Sequence, residues 1–587
     1  MKREEVKAEY KWNLDSIMRE EDWEKSFRTL SEGKDALLKY RGKLKDKSIL
    51  LSCMKEESDI SSRLENLYVY AKMRQDENTA LASSQSKVGR ARTLAAEISS
   101  AASFITPEII SSYDADALLA LSKEEAFADY SYVLTELARN RKRYLSDKEE
   151  KIMAKVSQLA DGYQNAFTMF DNADVKFAKV RDEEGHRIDL THGKYGELMM
   201  SKNRAVRRQA YRSMFTAYKE MINTIGALYL GNIEKDEFYA YFRGYEGALA
   251  MCLDGENVDV RAYKNLIKSV NEGIPALKKY LRIRKKSLGV PKLTMYDMHV
   301  PLVEGGDLKL SYEDAYELVI RALSCLGEDY VSLLKEAREG GWIDVFETEN
   351  KRSGAYSWGT YTSHPYVLLN YKKTTHDIFT IAHELGHAMH SYKSNAAQPY
   401  PKAGYEIFVA EIASTVNEML LLRFLMKEGK ADRRYLLSYL ADMFRTTFFR
   451  QTMFAEFELA AHERVEKNGT VTPEELCGIY ADLNKKYYGK EPTDELISYE
   501  WARIPHFYSS FYVYKYATGI VSAAAISEDI FEGKPGALEG YMRFLSLGGS
   551  KPPLDILAEA GVDLRTEEPF RKAMALFSEA IEELDRL

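Results

Sequence analysis

The 587-residue chain is 45% hydrophobic and 29% charged, with a net charge of −8. That is the balance of a globular protein with material for a sizeable core, and it lacks the basic footprint that nucleic-acid binding requires. No run of about 20 apolar residues occurs, so no membrane span is expected.

Taken in order, residues 1 to about 110 alternate helical stretches with short polar breaks. Trp23, Phe27 and Leu30 share one helix face, and Leu64, Tyr68 and Met73 another. Met1-Lys2-Arg3-Glu4-Glu5 has no apolar segment behind it, so no signal peptide is expected. Helices continue over 115–172, with Arg139, Arg141, Lys142 and Arg143 on a solvated face. Val175 to Val180 and His186 to Leu190 flank a glycine turn and predict a β-hairpin. A lobe boundary is placed there, giving an N-terminal helical lobe over 1–195 and a catalytic domain over 196–587. Residues 196–340 read as successive helices. Residues 353–371 break that pattern. Gly354–Thr360 and Pro365–Tyr371, rich in aromatic and β-branched residues, predict two strands. An edge strand there could pair with an extended peptide through main-chain hydrogen bonds.

His383-Glu384-Leu385-Gly386-His387 follows, an H-E-x-x-H run. Residues four apart on a helix lie on one face, so His383 and His387 can hold one metal ion, with Glu384 beside it as general base. Zinc suits this ligand set best. Ile378, Ile381, Leu385, Ala388, Met389 and Tyr392 form a separate apolar stripe, so the helix has a buried side and a chemical side. Thr374 or Asp377 can cap its start, and Ser394 to Gly404 is expected to end it as a loop.

A catalytic zinc needs a third protein ligand and one open position. A third histidine six residues beyond His387 is excluded, because Lys393 stands there. Tyr405 to Met426 predicts a second helix. On it Glu411 sits among Ala410, Ala413 and Ser414, small residues that let another helix approach. Glu411 is assigned as third ligand, with Glu406 and His390 as alternatives. Glu418, seven residues on and so on the same face, would orient a ligand histidine.

The run Ile381 to His390, followed by Ala410-Glu411-Ile412-Ala413-Ser414-Thr415 and Asn417-Glu418, resembles the thimet-oligopeptidase-type M3 family of zinc peptidases, most closely its oligoendopeptidase F branch. The segments Tyr10–Asp15, Asn203–Tyr211 and Phe242–Leu249 resemble that branch too. The resemblance implies a mainly α, two-lobed ellipsoid with a deep substrate cleft and a small β-sheet beside the zinc helix. It implies one Zn2+ per chain on His383, His387 and Glu411, with Glu384 as base.

Tyr499 to Gly519 is the last informative stretch, with Trp501, His506, Tyr508, Tyr512, Tyr514 and Tyr516. Each buried tyrosine hydroxyl needs a partner, which suits a cleft wall better than a core. The resemblance places a histidine and tyrosines of this segment at the oxyanion of the tetrahedral intermediate. His506, Tyr512 and Tyr514 are the expected residues. The tail from about 553 is a helical closure. The combined expectation is a zinc endopeptidase acting on short unfolded peptides, with no nucleic-acid or membrane partner and an open oligomeric state. A non-catalytic peptide-binding scaffold and a zinc hydrolase of a non-peptide substrate are the alternatives. Cys53, Cys252, Cys325 and Cys477 are scattered and read as reduced thiols of a cytoplasmic protein.

Overall fold

Long charged-apolar periodic stretches and few prolines dictate helices, and helices dominate the computed structural model, which describes residues 1–303, 308–429 and 431–587. The principal helices, in chain order, are α1 (Lys47–Glu77), α2 (Ala82–Ala102), α3 (Arg204–Glu220), α4 (Ile222–Phe242), α5 (Val260–Ser287), α6 (Glu328–Glu339), α7 (Thr375–Ala397), α8 (Ile407–Glu428), α9 (Arg450–Asn468), α10 (Tyr514–Phe531) and α11 (Glu568–Arg586). Among the described residues five short strands accompany them: β1 (Val180–Arg181), β2 (Arg187–Ile188), β3 (Ile343–Asp344), β4 (Tyr356–Trp358) and β5 (Tyr366–Leu368). The expected class, mainly α with a small sheet, is the observed one.

The contacts divide the chain into two compact units that interleave along the sequence. The first comprises Met1–Asp147, Asp307–Lys427 and Ile526–Gly561. The second comprises Lys148–Gly306, Glu428–Ala525 and Val562–Leu587.

In the first unit the sheet order is β3-β5-β4, with β3 parallel and β4 antiparallel to β5. The sequence reading anticipated β4 and β5 but not β3, a two-residue strand too short to show a period. Tyr366, Val367 and Leu368 of the central β5 are all at most 1% exposed, the continuous burial of a strand covered on both faces. Tyr366 and Leu368 join a core with Trp12, Trp23, Leu67, Tyr70 and Leu94 from the N-terminal segment, α1 and α2. The outer side of β3 is lined by the N-terminal segment: Val345 donates to the Tyr10 carbonyl and Asn13 to the Gly341 carbonyl. Helix α7 packs along β4 and β5, so the sheet and the H-E-x-x-H helix are neighbours as expected.

Among the described residues the second unit is helical apart from the hairpin β1–β2. The hairpin is shorter than expected. Residues Phe170–Asp174 prolong the preceding helix as a widened turn, and only Val180–Arg181 and Arg187–Ile188 pair. Helix α5 packs on α9 and α11, and α3 packs on the turns over Leu496–Arg503.

Candidate metal centre

Helix α7 begins where its sequence says it should. The Thr374 hydroxyl accepts from the Asp377 amide, and the Asp377 carboxylate accepts from the Thr374 amide, a reciprocal cap. Ile378, Ile381, Leu385, Ala388 and Met389 are buried, while His383 and His387 keep 26% and 19% of their side chains exposed on another face. The helix runs past the expected end to Ala397. Residues Tyr400–Ala403 form a further helical turn instead of loop, entered through Pro399 and with Pro401 in its first turn.

The crossing of α7 and α8 depends on a missing side chain. A Cβ on Gly386 would stand 2.5 Å from the Ser414 Cα and 2.6 Å from the Ala413 carbonyl oxygen. Backbone therefore meets backbone at that point. The contact brings Glu411 to the two histidines: His383 Nε2 and His387 Nε2 are 3.2 Å apart, and the Glu411 Oε2 lies 3.5 and 3.6 Å from them. Zinc–ligand bonds of about 2.0–2.1 Å at tetrahedral angles put ligand atoms about 3.3 Å apart. The three atoms thus match the edges of a tetrahedron of zinc size, and the donor set fits the metal.

Glu418 fixes the orientation of one ring. Its Oε1 lies 3.2 Å from His383 Nδ1, so Nδ1–H donates to the carboxylate and Nε2 faces the centre. Burial opposes charge on the metal-free His383, yet the Glu411 and Glu418 carboxylates outweigh it and raise the imidazole to about 10. The two imidazoles hold Glu411 well below the usual carboxylate range, His383 first. Glu384 is 7% exposed, and that burial pushes its carboxyl up against the opposing pull of His383 and His387.

The alternatives lie outside this group. Glu406 is exposed. His390 is fully buried, stacked on Tyr405 at 3.8 Å with the Phe544 ring 5.1 Å away, and neither ring nitrogen has a hydrogen-bond partner. His364 stacks on Trp342 at 4.6 Å. A second trio, Asp182, Glu184 and His186, lies on the hairpin turn with Glu184 and His186 exposed.

In the second unit the expected oxyanion residues separate. His506 is exposed; Tyr512 stacks on its ring at 5.9 Å, and Tyr516 places its hydroxyl 3.3 Å from His506 Nε2. Tyr514, 1% exposed, packs instead against Tyr263. Phe511 takes the left-handed region, φ +56°, and α10 starts at Tyr514. Tyr512 and Tyr516, four residues apart across that start, both reach His506. The contact of Tyr516 with His506 follows from this spacing, which needs the helix start to be known.

Two imidazoles and a carboxylate converge on one point, with a second carboxylate behind one ring and a buried glutamate beside them, a donor group that could hold a metal ion. The sequence model of peptidase family M3 matches residues 197–576, and that of oligopeptidase F matches residues 108–177. The chain is 39% identical to oligopeptidase PepF of Bacillus subtilis, over all of this chain and 88% of the relative. It is 36% identical to the group B oligopeptidase PepB of Streptococcus agalactiae, over 100% and 98% of the two. Among solved structures, a putative peptidase from Chlamydophila abortus superposes with a TM-score of 0.93 at 34% identity, covering 100% of this chain and 99% of that one. Oligoendopeptidase-F from Enterococcus faecium gives 0.74 at 31%, covering 96% and 98%. The chain belongs to peptidase family M3 and is a metallopeptidase.

Proposed function

We propose that the chain is a cytoplasmic zinc endopeptidase that cuts internal bonds of short, unfolded peptides. His383 Nε2, His387 Nε2 and the Glu411 carboxylate would hold one zinc. The observation that carries this reading is the mutual spacing of those three atoms, 3.2–3.6 Å. Zinc there supplies Lewis acidity, which makes water acidic near neutral pH and polarises a carbonyl. The residues of the chain do the rest. Glu384 takes the proton of the attacking water on its carboxylate and passes it to the leaving amine nitrogen. Its burial, which raises the carboxyl, suits a group that must both accept and release a proton. Glu418 keeps the proton of His383 on Nδ1 and so leaves Nε2 free to ligate.

His506 and a tyrosine hydroxyl donate to the developing oxyanion. Tyr512 and Tyr516, both against the His506 ring, fit that task better than the buried Tyr514. An extended peptide would pair with β4, beyond which no further strand lies among the described residues. Main-chain pairing binds peptides without reading their side chains. Similarity to oligopeptidases supports short peptides as substrates. Four unpaired cysteines suit a reducing compartment.

The test is zinc content and hydrolysis of a mixed peptide library, before and after chelation. One zinc per chain and internal cleavage, abolished by chelation and restored by zinc, is the expected result. Zinc without cleavage would refute the peptidase reading, and cleavage that survives full removal of metal would refute the role of zinc.

A further inference from the structure

The Gly386–Ser414 contact sets how closely α7 and α8 approach, but a contact of backbone on backbone has no direction of its own. It opposes a small slide of one helix along the other only sterically, and such a slide would pull Glu411 away from the histidines. Something directional must hold the register. Glu418 on His383 is one such bond, but it joins two ionisable groups and changes with their protonation.

The second bond is neutral and buried. Asn417, 0% exposed on α8, donates from Nδ2 to the Ala382 carbonyl on α7 at 3.0 Å. Its Oδ1 accepts from the hydroxyl of Tyr330 on α6 at 3.1 Å, and Tyr330 is 1% exposed. These partners fix the amide orientation. Turned over, Oδ1 would face the Ala382 carbonyl, two acceptors together. Ala382 directly precedes the ligand His383, and Asn417 directly precedes Glu418. The two bonds between the helices therefore join consecutive pairs, 382 with 417 and 383 with 418.

We propose that Asn417, held from behind by Tyr330, is a positioning residue for the metal centre: it locks the register of α8 on α7 and thereby aims Glu411 at His383 and His387. This rests on the zinc reading above. An amide is the side chain for the task. It offers a donor to one helix and an acceptor to another from one planar group, and it does not titrate.

The role separates from simple core stability because the hydrogen-bonded pair can be replaced by apolar groups. Tyr330→Phe alone leaves the buried Oδ1 without a partner, which destabilises the fold. Tyr330→Phe combined with Asn417→Leu removes both polar groups and leaves the Ala382 carbonyl within its helix. The double variant should recover thermal stability without recovering the register.

The experiment compares wild type, Tyr330→Phe, Asn417→Leu, the double variant and Glu411→Ala as full chains. Zinc affinity is measured by competition with a chromophoric chelator, and unfolding of the zinc-free proteins by heating. Zinc binding should weaken about 10–100-fold in Asn417→Leu and in the double variant, the size expected when a group supporting a ligand is lost. Tyr330→Phe should weaken it several-fold. The double variant should melt above Tyr330→Phe. If Asn417→Leu fails to fold, Tyr330→Phe and the double variant decide. Wild-type zinc affinity in the folded Asn417 and Tyr330 variants, alongside loss of zinc in Glu411→Ala, would overturn this inference alone. Retention of zinc by Glu411→Ala would overturn the ligand set and the inference with it.

Discussion

At the scale of single residues, the proposed centre divides labour among His383, His387, Glu411, Glu384 and Glu418, and the assignments can be tested one by one. Glu384→Gln keeps the shape but cannot take a proton. We expect it to retain zinc while kcat falls about 10²–10⁴-fold, measured on a quenched peptide. Glu418→Ala should retain a centre that binds zinc about 10–100-fold more weakly, read by chelator competition. Metal uptake should also release protons. In the metal-free protein His383 is raised to about 10, above the unfolded value of about 6.5. Its ion pairs therefore stabilise the metal-free fold fully below about 6.5, and that contribution disappears as pH rises through about 10. Zinc requires the neutral ring, so it runs against this preference. Calorimetry at pH 7.5 in buffers of different ionisation enthalpy should show at least one proton released per zinc, and affinity should rise with pH. The proposed ligands were legible as candidates because their pattern is local: His383 and His387 four apart on one helix, and Glu411 among small residues on the next. Tyr516 was not, because the left-handed turn at Phe511 decides which tyrosines meet His506.

At the scale of elements, Gly386 governs the crossing of α7 and α8. The residue lies within the motif, and the small residues of α8 signalled that a helix would approach. Nothing in the sequence indicated that the contact point would be Gly386 itself. Gly386→Ala gains helix propensity but drives a methyl to 2.5 Å from the Ser414 Cα. The overpacking term is about 1–3 kcal/mol, larger than the propensity gain of about 1 kcal/mol. The variant should therefore melt below wild type and bind zinc more weakly, both measured on the purified chain. The cap of α7 is a milder lever. Thr374→Ala should cost about 1 kcal/mol with zinc stoichiometry intact, read by denaturant unfolding. The β-elements show the limit of local reading. β3 owes its existence to β5 and the N-terminal segment rather than to its own two residues.

At the scale of the whole molecule, each compact unit is assembled from three separate stretches of sequence. Helices and their faces follow from period; which distant stretches share a core does not, because no local pattern encodes the partner. Trp12, Trp23, Leu67 and Tyr70 cover β5 from more than 290 residues away along the chain. The stretch matched by the family M3 model, 197–576, carries every proposed zinc ligand but lacks those four residues. Expressed alone, it should be rapidly proteolysed and should fail to hold stoichiometric zinc. A protease-resistant, zinc-loaded fragment would show that the N-terminal segments are dispensable to the centre.

The sheet has two unequal rims. The β3 rim is lined by Tyr10 and Asn13 through main-chain hydrogen bonds, whereas β4 carries only Tyr356, Ser357 and Trp358 and has no neighbouring strand beyond it among the described residues. An open rim invites identical copies to dock rim to rim, and such docking would both block the proposed substrate track and seed aggregates. Three residues are a poor adhesive: the handful of backbone bonds they offer cannot repay the lost freedom of two whole molecules. A flexible peptide that gains further anchorage from a metal and surrounding side chains is not bound by that limit. On the proposed reading, brevity suits the rim to small mobile chains rather than to a second copy of this one.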